Sequence, residues 1–353
     1  MTGTDLSAEL VERVREARAR GIALRIVGGD TKRFLGRAIE ARPLALAGHA
    51  GIVDYAPEEL VLTARAGTTL ARIEDALASN DQQLGFEPPR LGGPATIGGT
   101  LATNVSGPAR PWRGSVRDAV LGIRIVSGRG EHLRFGGKVM KNVAGFDVAR
   151  LQAGAYGAFG VLTEISLRVL PRPEREETLR LTCDAHTAIA HMNALAARPE
   201  PLSAAAWLDG VLYLRLSGTT GSVTAARRRI GGDTVAGAAA FWNDVNNLTL
   251  PFFTDPGAPL WRLSVSPSHP LREDLGTWLL DWGGAQRYLR SDRDRASLEA
   301  EAGGGHVGCL RHPDATVGFA QEPSAAVKRI HRNLKSAFDP DRIVNPGRLY
   351  DWF

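Results

Sequence analysis

The sequence predicts an α+β fold: a first domain organised around glycine-rich backbone, then a ferredoxin-like cap, with a C-terminal tail that returns to the first domain. Three observations carry this expectation. At 353 residues the chain exceeds the size at which one hydrophobic core stops growing, so two cores are expected. Two glycine-rich segments, Gly98–Gly107 and Gly154–Gly160, flank a basic middle in the first half and lead into the alternating run Val161–Leu170. Beyond Pro171 and Pro173 the texture changes to the order β-α-β-β-α-β, the ferredoxin-like pattern.

Bulk composition narrows the function classes. Forty-three basic against thirty-eight acidic residues leave a net charge of +5, without the basic cluster and aromatic platforms of a nucleic-acid binder. The mild excess suits an anionic cofactor, substrate or acidic partner. Cys183 and Cys309 stand far apart, which excludes a disulfide framework and a four-cysteine iron–sulfur cluster. The N-terminus is charged and periodic, with no apolar signal core, and no run of about 18 apolar residues exists to span a membrane. The expected location is cytoplasmic, with any membrane link peripheral and through partners.

Taken in order, Ser7 is expected to cap a first helix with Leu10, Val11, Val14 and Ala17 on one face and Gly21 as its stop. Ile22–Val27 reads as a buried strand running into Gly28, Gly29, Asp30, Thr31 and Lys32. Glycine lets backbone approach a ligand closely, and successive backbone N–H groups form a concavity for a diphosphate. The same piece also reads as a tight turn. Gly51–Tyr55 and Leu60–Ala64 read as strands, and Gly67-Thr68-Thr69 starts a helix with Leu70, Ile73 and Leu77 aligned. Gln82–Thr96 reads as a loop. The spacing GGTLATN that follows is not the dinucleotide G-x-G-x-x-G. Asn104 reads either as an Asx turn or as a contact to a ring edge. Arg110, Trp112 and Arg113 form a basic-aromatic knot, read as surface ion pairs around one Trp or as a ligand contact. Asp118–Ile125 and Glu131–Phe135 form a strand pair, Lys138, Lys141 and Asn142 a solvated face or an anion site, and Val148–Leu151 a short helix.

In the second part, Thr178–Thr182 is a strand and Asp184 caps a helix to Ala197. Ala204–Leu208 and Val211–Leu216 flank Asp209-Gly210, a strong hairpin signal. Ser222 is expected to cap a helix to Ile230, stopped by Gly231. A looser echo follows: strand Leu260–Val265, helix Leu271–Leu280, and strands Ala285–Leu289 and His306–Cys309. Pro323–Ala337 is a helix with Val327, Ile330 and Leu334 aligned, and the tail after Phe338 is punctuated too densely for helix or strand. The expected boundaries are 1–173, 174–322 and 323–353.

GGDTK at 28–32, PATIGGTLATNVSG at 94–107, KNVAGFDVARLQAGAYGAFGVLTE at 141–164 and FDPDRIVNPGR at 338–348 stand in the order found in one family. Together they resemble the FAD-binding domain of the vanillyl-alcohol oxidase/p-cresol methylhydroxylase (PCMH) type. GPARPWRGSVRDAVLG and KVMKNVAGFDVARL are most similar to the FAD-binding subunits of bacterial glycolate oxidase. The resemblance implies a PCMH-type fold with FAD as cofactor. It implies that the backbone of Gly28, Gly29, Asp30, Thr31 and Lys32 wraps the diphosphate. Pro94, Thr96, Gly98, Gly99, Ala102 and Asn104 would line flavin and diphosphate. Gly154, Gly157, Gly160 and Val161 would approach the ribose and adenine, and Asn345 and Arg348 the flavin edge.

Departures from the family matter too. Where some relatives tether FAD through His or Cys, the first loop here offers Asp30-Thr31, so non-covalent binding is expected. The H-x-G-D-G-N-x-H-like motif of relatives that oxidise 2-hydroxy acids is absent, and His186, His191, His269, His306, His312 and His331 stand singly; no catalytic residue and no metal ligand is assigned. Oxidation of a hydroxy acid needs a proton acceptor, a hydride acceptor and a cationic clamp. The resemblance implies that the expected function is the FAD subunit of a complex oxidising glycolate to glyoxylate. Its expected partners are a related flavin subunit holding the base and an iron–sulfur subunit. The alternatives are a self-sufficient FAD oxidoreductase, with Arg110 and Arg113 as the clamp, and a non-catalytic assembly subunit.

Overall fold

The computed structural model describes residues 3–137, 145–314 and 319–353. Lys138, Lys141 and Asn142 lie outside the described residues. The chain divides into two units, one comprising Met1–Val105, Ser115–Arg172 and Glu322–Phe353, the other Ser106–Gly114 and Pro173–Gln321. The expected boundaries at 173 and 322 did not foresee that nine residues from the middle of the first segment, Ser106–Gly114, group with the second.

The first unit opens on the helix Ser7–Ala19, whose Leu10, Val14 and Ala17 are buried. Its N-cap is Leu6, with no side-chain cap, so Ser7 is the first helical residue; Asp5 Oδ1 accepts the Ser7 N–H at 2.9 Å, and the hydrogen bonds from Ser7 hold the Asp5 carboxyl at about 2. Strands β1 (Leu24–Val27) and β2 (Arg42–Ala45) pair in parallel, β2 being a strand that the polar sequence around Arg42-Pro43 concealed. Strands β3 (Ile52–Ala56), β4 (Val61–Arg65), β5 (Gln82–Leu84), β6 (Val120–Val126), β7 (His132–Gly136) and β8 (Val161–Pro171) build a second, antiparallel sheet. Its order is β3-β4-β8-β6-β7, with β5 added on β8. The long strand β8 is the spine, because Leu162, Ile165, Leu167 and Val169 are all buried in one core with Leu70, Ile73 and Leu77 of the helix Leu70–Ala78. Thr69 caps that helix, accepting the Arg72 N–H.

The second unit holds β9 (Arg175–Thr182), β10 (Leu202–Leu208), β11 (Val211–Gly218), β12 (Asp233–Thr234), β13 (Leu260–Ser264), β14 (Thr277–Asp281), β15 (Gln286–Arg290) and β16 (His306–Arg311) in one antiparallel sheet. The order β12-β9-β11-β10-β14-β15-β13-β16 decodes simply. Its first four strands follow the ferredoxin-like arrangement 4-1-3-2, its last four the mirrored 2-3-1-4, and the two halves meet at β10 and β14. Asp209 and Gly210 both have positive φ, 48° and 79°, as the tight hairpin between β10 and β11 demands.

Three expectations are corrected here. The helix over Leu271–Leu280 is a 3₁₀ turn, Glu273–Leu275, followed by β14, because Gly276 at φ 146° breaks the chain before Trp278 and the apolar run joins the sheet. Thr219 rather than Ser222 caps the helix Thr220–Ile230, accepting the Ser222 N–H at 3.2 Å. Helices Ala238–Asn247 and Pro251–Thr254 occupy a stretch with no expected element. No helix among the described residues is long and apolar enough to cross a membrane.

His49 ties the first helix to the large sheet. It is fully buried, its Nδ1 accepts the Leu6 N–H at 3.0 Å, and its Nε2 meets the Thr163 carbonyl at 3.0 Å, which fixes the neutral tautomer protonated at Nε2. Burial pushes its pKa below the ordinary 6.5. The unfolded chain then takes up a proton near 6.5 that the folded chain refuses, so stability falls as pH drops below that value. Melting temperatures of the native chain from pH 7.5 to 5 are expected to fall more steeply than those of a His49→Gln variant. Equal slopes would reject His49 as the source.

Candidate functional site

The main cleft of the first unit forms where β1 ends. It comprises about 760 Å³ of space not filled by protein atoms, including space open to solvent. Thirteen of the seventeen residues singled out from the sequence line it: Gly28 to Lys32, Thr96, Gly98, Gly99, Ala102, Gly157, Gly160, Asn345 and Arg348.

The stretch from Gly28 to Lys32 supplies the donors. Asp30 sits at φ 55°, which turns the chain so that this segment arches over the cleft. Among the described residues, no protein acceptor takes any of its five backbone N–H groups. Lys32 adds a charge. It is 7% exposed, and among the described residues nothing pairs with its ammonium. Burial alone pushes its pKa from 10.5 down to about 8. A cradle of open N–H groups and a desolvated cation is the donor set that a diphosphate requires.

Thr96, Gly98 and Gly99 act differently from what the glycine-rich spacing suggested. They form the start of a helix, Ile97–Thr103, with Thr96 as its cap. The Gly98 N–H already donates to the Ala66 carbonyl at 2.8 Å and the Gly99 N–H to Thr96 Oγ1 at 3.2 Å, so neither is open to a ligand. Gly98 is needed for close packing: a Cβ there would lie 2.8 Å from both the Cβ and the carbonyl oxygen of Ala66. Gly29 likewise leaves no room for a side chain, because the Pro94 carbonyl fills it.

The other wall comes from the second glycine-rich turn and the tail. Tyr156 and Gly157 have positive φ, 54° and 70°. The Asn345 side chain bridges this turn to β1, with Nδ2 donating to the Tyr156 carbonyl at 2.7 Å and Oδ1 accepting the Ile26 N–H at 2.8 Å. Arg348 donates to the Arg33 and Arg37 carbonyls.

Four of the singled-out residues do not line the cleft. Pro94 backs Gly29. Asn104 is the left-handed C-cap of its helix at φ 50°, its Oδ1 buried without a partner. Gly154 packs against the Asn104 side chain, and Val161 is fully buried with Leu10 and Val14 of the first helix. Sequence reasoning missed Ile26, Arg33, Leu46, Ala66, Tyr156 and Leu162, which also line the cleft.

Arg110 and Arg113 belong to the second unit. The Arg110 guanidinium lies 4.5 Å over the Trp282 ring, and Arg113 donates to Ser217 Oγ at 3.0 Å and lies 3.6 Å from the Glu176 carboxylate. Trp112 packs against the core of that unit. The histidines stay dispersed: His186 faces Glu273 at 3.5 Å, and His269 Nε2 meets the Glu301 carbonyl at 2.7 Å. No group of three metal-ligating side chains is found among the described residues.

The buried charge of Lys32 makes a measurable demand on the fold. At pH 7 the penalty for its depressed pKa is on the order of 3 kcal/mol. Between about 8 and 10.5 the unfolded chain binds the proton that the folded chain has released, so stability rises with pH across that window. The ligand-free Lys32→Met variant is expected to melt several degrees higher than the native chain at pH 7, with the difference narrowing toward pH 10. A variant that melts lower at pH 7 would refute the buried, unpaired charge.

A model of the FAD binding domain matches residues 6–136. The chain is 46% identical over 348 residues, 98% of each protein, to "Glycolate oxidase subunit GlcE" of Escherichia coli strain K12. It is 40% identical to "Glycolate oxidase subunit GlcD" of Bacillus subtilis over 85 residues, 24% of this chain and 18% of that one. In fold it is similar to alkyldihydroxyacetonephosphate synthase, with a TM-score of 0.70 at 15% identity, over 96% of this chain and 75% of that structure. Full-length identity and the cleft agree: the chain belongs to the glycolate oxidase subunit GlcE family and is an FAD-binding oxidoreductase.

Proposed function

We propose that this chain is the non-covalent FAD subunit of a complex that oxidises glycolate to glyoxylate and passes the electron pair to an iron–sulfur partner subunit. A related flavin subunit holds the catalytic base. The observation that carries the cofactor site is the set of open donors from Gly28 to Lys32. Glycolate is supported by the full-length likeness to the E. coli subunit, and the paired flavin subunit by the partial likeness to GlcD. Any membrane attachment runs through those partners.

In this reading the FAD diphosphate lies along Gly28, Gly29, Asp30, Thr31 and Lys32, and the Lys32 ammonium neutralises it. Thr96, Gly98, Gly99 and Ala102 form the floor under the ring system, with Ile26, Leu46, Ala66 and Leu162 keeping water out. Gly157 and Gly160 face the ribose and adenine, while Asn345 and Arg348 hold the ring edge. Pro94, Asn104, Gly154 and Val161 support these walls from behind. Residues 1–173 with the tail 323–353 hold the cofactor, and 174–322 form the cap. None of the described residues lining the cleft is a His or Cys, which supports binding without a covalent tether. When bound, FAD supplies the two-electron acceptor for the oxidation.

Purified chain is expected to carry one FAD, released in full by acid precipitation; colourless protein that takes up no FAD would refute the reading. Affinity has a calculable pH dependence. The phosphates favour the Lys32 cation, so binding is strongest below about 8 and weakens as pH rises through it, by up to about tenfold per unit. Lys32→Met should weaken FAD binding at pH 7 and flatten this profile in a fluorescence titration. The catalytic assignment is tested separately: glycolate should not bleach the isolated chain under anaerobic conditions, and should do so once the partner subunits are added. Rapid bleaching of the chain alone would favour a self-sufficient oxidoreductase.

A further inference from the structure

One buried pair of charges lies outside the cleft yet joins the two elements of its second wall, the glycine-rich turn and the tail. Lys335 is 1% exposed near the end of the helix Ala325–Phe338. Its ammonium meets three acceptors: the Ala158 carbonyl at 2.7 Å, the Val344 carbonyl at 2.6 Å and Asp339 Oδ2 at 2.8 Å. The Asp339 carboxylate is fully buried and accepts the Ile343 N–H at 3.1 Å and the Val344 N–H at 2.8 Å. Gly128 closes the remaining side. Its N–H donates to the Phe338 carbonyl at 2.9 Å, and a Cβ there would overlap the Asp339 carboxylate.

Each of these partners leads to the cleft. Ala158 belongs to the turn whose Tyr156, Gly157 and Gly160 line it. Val344 immediately precedes Asn345, and the tail on either side of it pairs with β1: the Leu24 N–H donates to the Ile343 carbonyl at 2.6 Å and the Asn345 N–H to the Leu24 carbonyl at 2.8 Å. The ion pair therefore stands where helix, tail and glycine-rich turn cross. Stability alone is a poor reason for it. Desolvating two charges offsets most of their attraction, and apolar residues of similar volume commonly do as well or better. The pair does offer direction, since its bonds to main-chain groups can be made in only one register of the tail.

We propose that Lys335 and Asp339 form a positioning clasp, which locks the tail against the glycine-rich turn and so sets Asn345 and Arg348 at the edge of the FAD site. The clasp itself stands on the geometry; its link to cofactor rests on the FAD reading above.

The test uses the full chain carrying Lys335→Met with Asp339→Leu, in which both charges leave together. The ligand-free double variant is expected to melt within about 5 °C of the native chain, whereas Lys335→Met alone, which strands a buried carboxylate, melts well below it. Hydrogen exchange at the Ile26 and Asn345 amides of the double variant should be at least about tenfold faster, because both bonds depend on the position of the tail. FAD should bind about tenfold or more weakly, and at saturating FAD the flavin absorption bands should move toward those of free FAD. Unchanged exchange at both amides overturns the clasp. Faster exchange with unchanged affinity and spectrum overturns its role in the FAD site. Failure of the native chain to bind FAD overturns the cofactor reading, and the exchange comparison still decides the clasp. If the double variant does not fold, the isosteric Asp339→Asn is read by the same exchange and titration measurements.

Discussion

The first unit is arranged around a positive charge that the polypeptide itself leaves uncompensated. Lys32 is withdrawn from water beside five open backbone N–H groups, and among the described residues nothing answers it. A carboxylate nearby would have relieved the cost of that burial and filled the place of an anion. The carboxylate of Asp30, which lines the same cleft, pairs with Arg25 instead, so a partner that brings its own negative charge would relieve that cost. The surrounding structure bears the load: the tail pairs with β1, and Asn345 links β1 to the glycine-rich turn, so the segment carrying the charge is held from both sides. A site that is destabilising when empty and satisfied when filled is a common form of trade between stability and function.

The glycines around the cleft divide into two physical roles that look the same in sequence. In the first turn of the helix Ile97–Thr103 they allow main chain to pack on main chain, and the N–H groups there are already committed to Ala66 and Thr96. After β1 they leave the N–H groups open. Anion affinity follows from the second arrangement, whereas the first supplies a flat, tightly packed floor. A single glycine-rich label for both segments conceals this difference, because it depends on which carbonyls the fold brings near.

This separates what the sequence could reveal from what it could not. The helix Leu70–Ala78 and the Asp209-Gly210 hairpin depend on periodicity and turn chemistry within a few residues, and both were legible. So was the segment from Gly28 to Lys32, where a strand runs into glycines and a lysine. The caps at Ser7 and Ser222 were misplaced because each helix begins earlier than those serines suggest, with Ser7 already its first residue and Thr219 capping the second, and only the chain path decides where the turn starts. The run Leu271–Leu280 is apolar enough for either period, and Gly276 settles it only through its backbone angle. Lys335 and Asp339 were hidden for a different reason. At a spacing of four on a helix they look like an ordinary surface pair, and their burial comes from segments nearly two hundred residues distant.

The placement of the arginines bears on how chemistry divides between this chain and its partners. A clamp for a small carboxylate needs cations with donors to spare. In the second unit Arg113 is engaged by Ser217 and Glu176, and Arg110 lies over Trp282, so both serve the packing of the segment Ser106–Gly114. In the cleft, Arg348 is held by the Arg33 and Arg37 carbonyls, and Lys32 lines the same hollow as the open N–H groups. These four charges are thus given to holding loops or to lining the cleft. Such an allocation suits a chain whose task is to retain and position FAD.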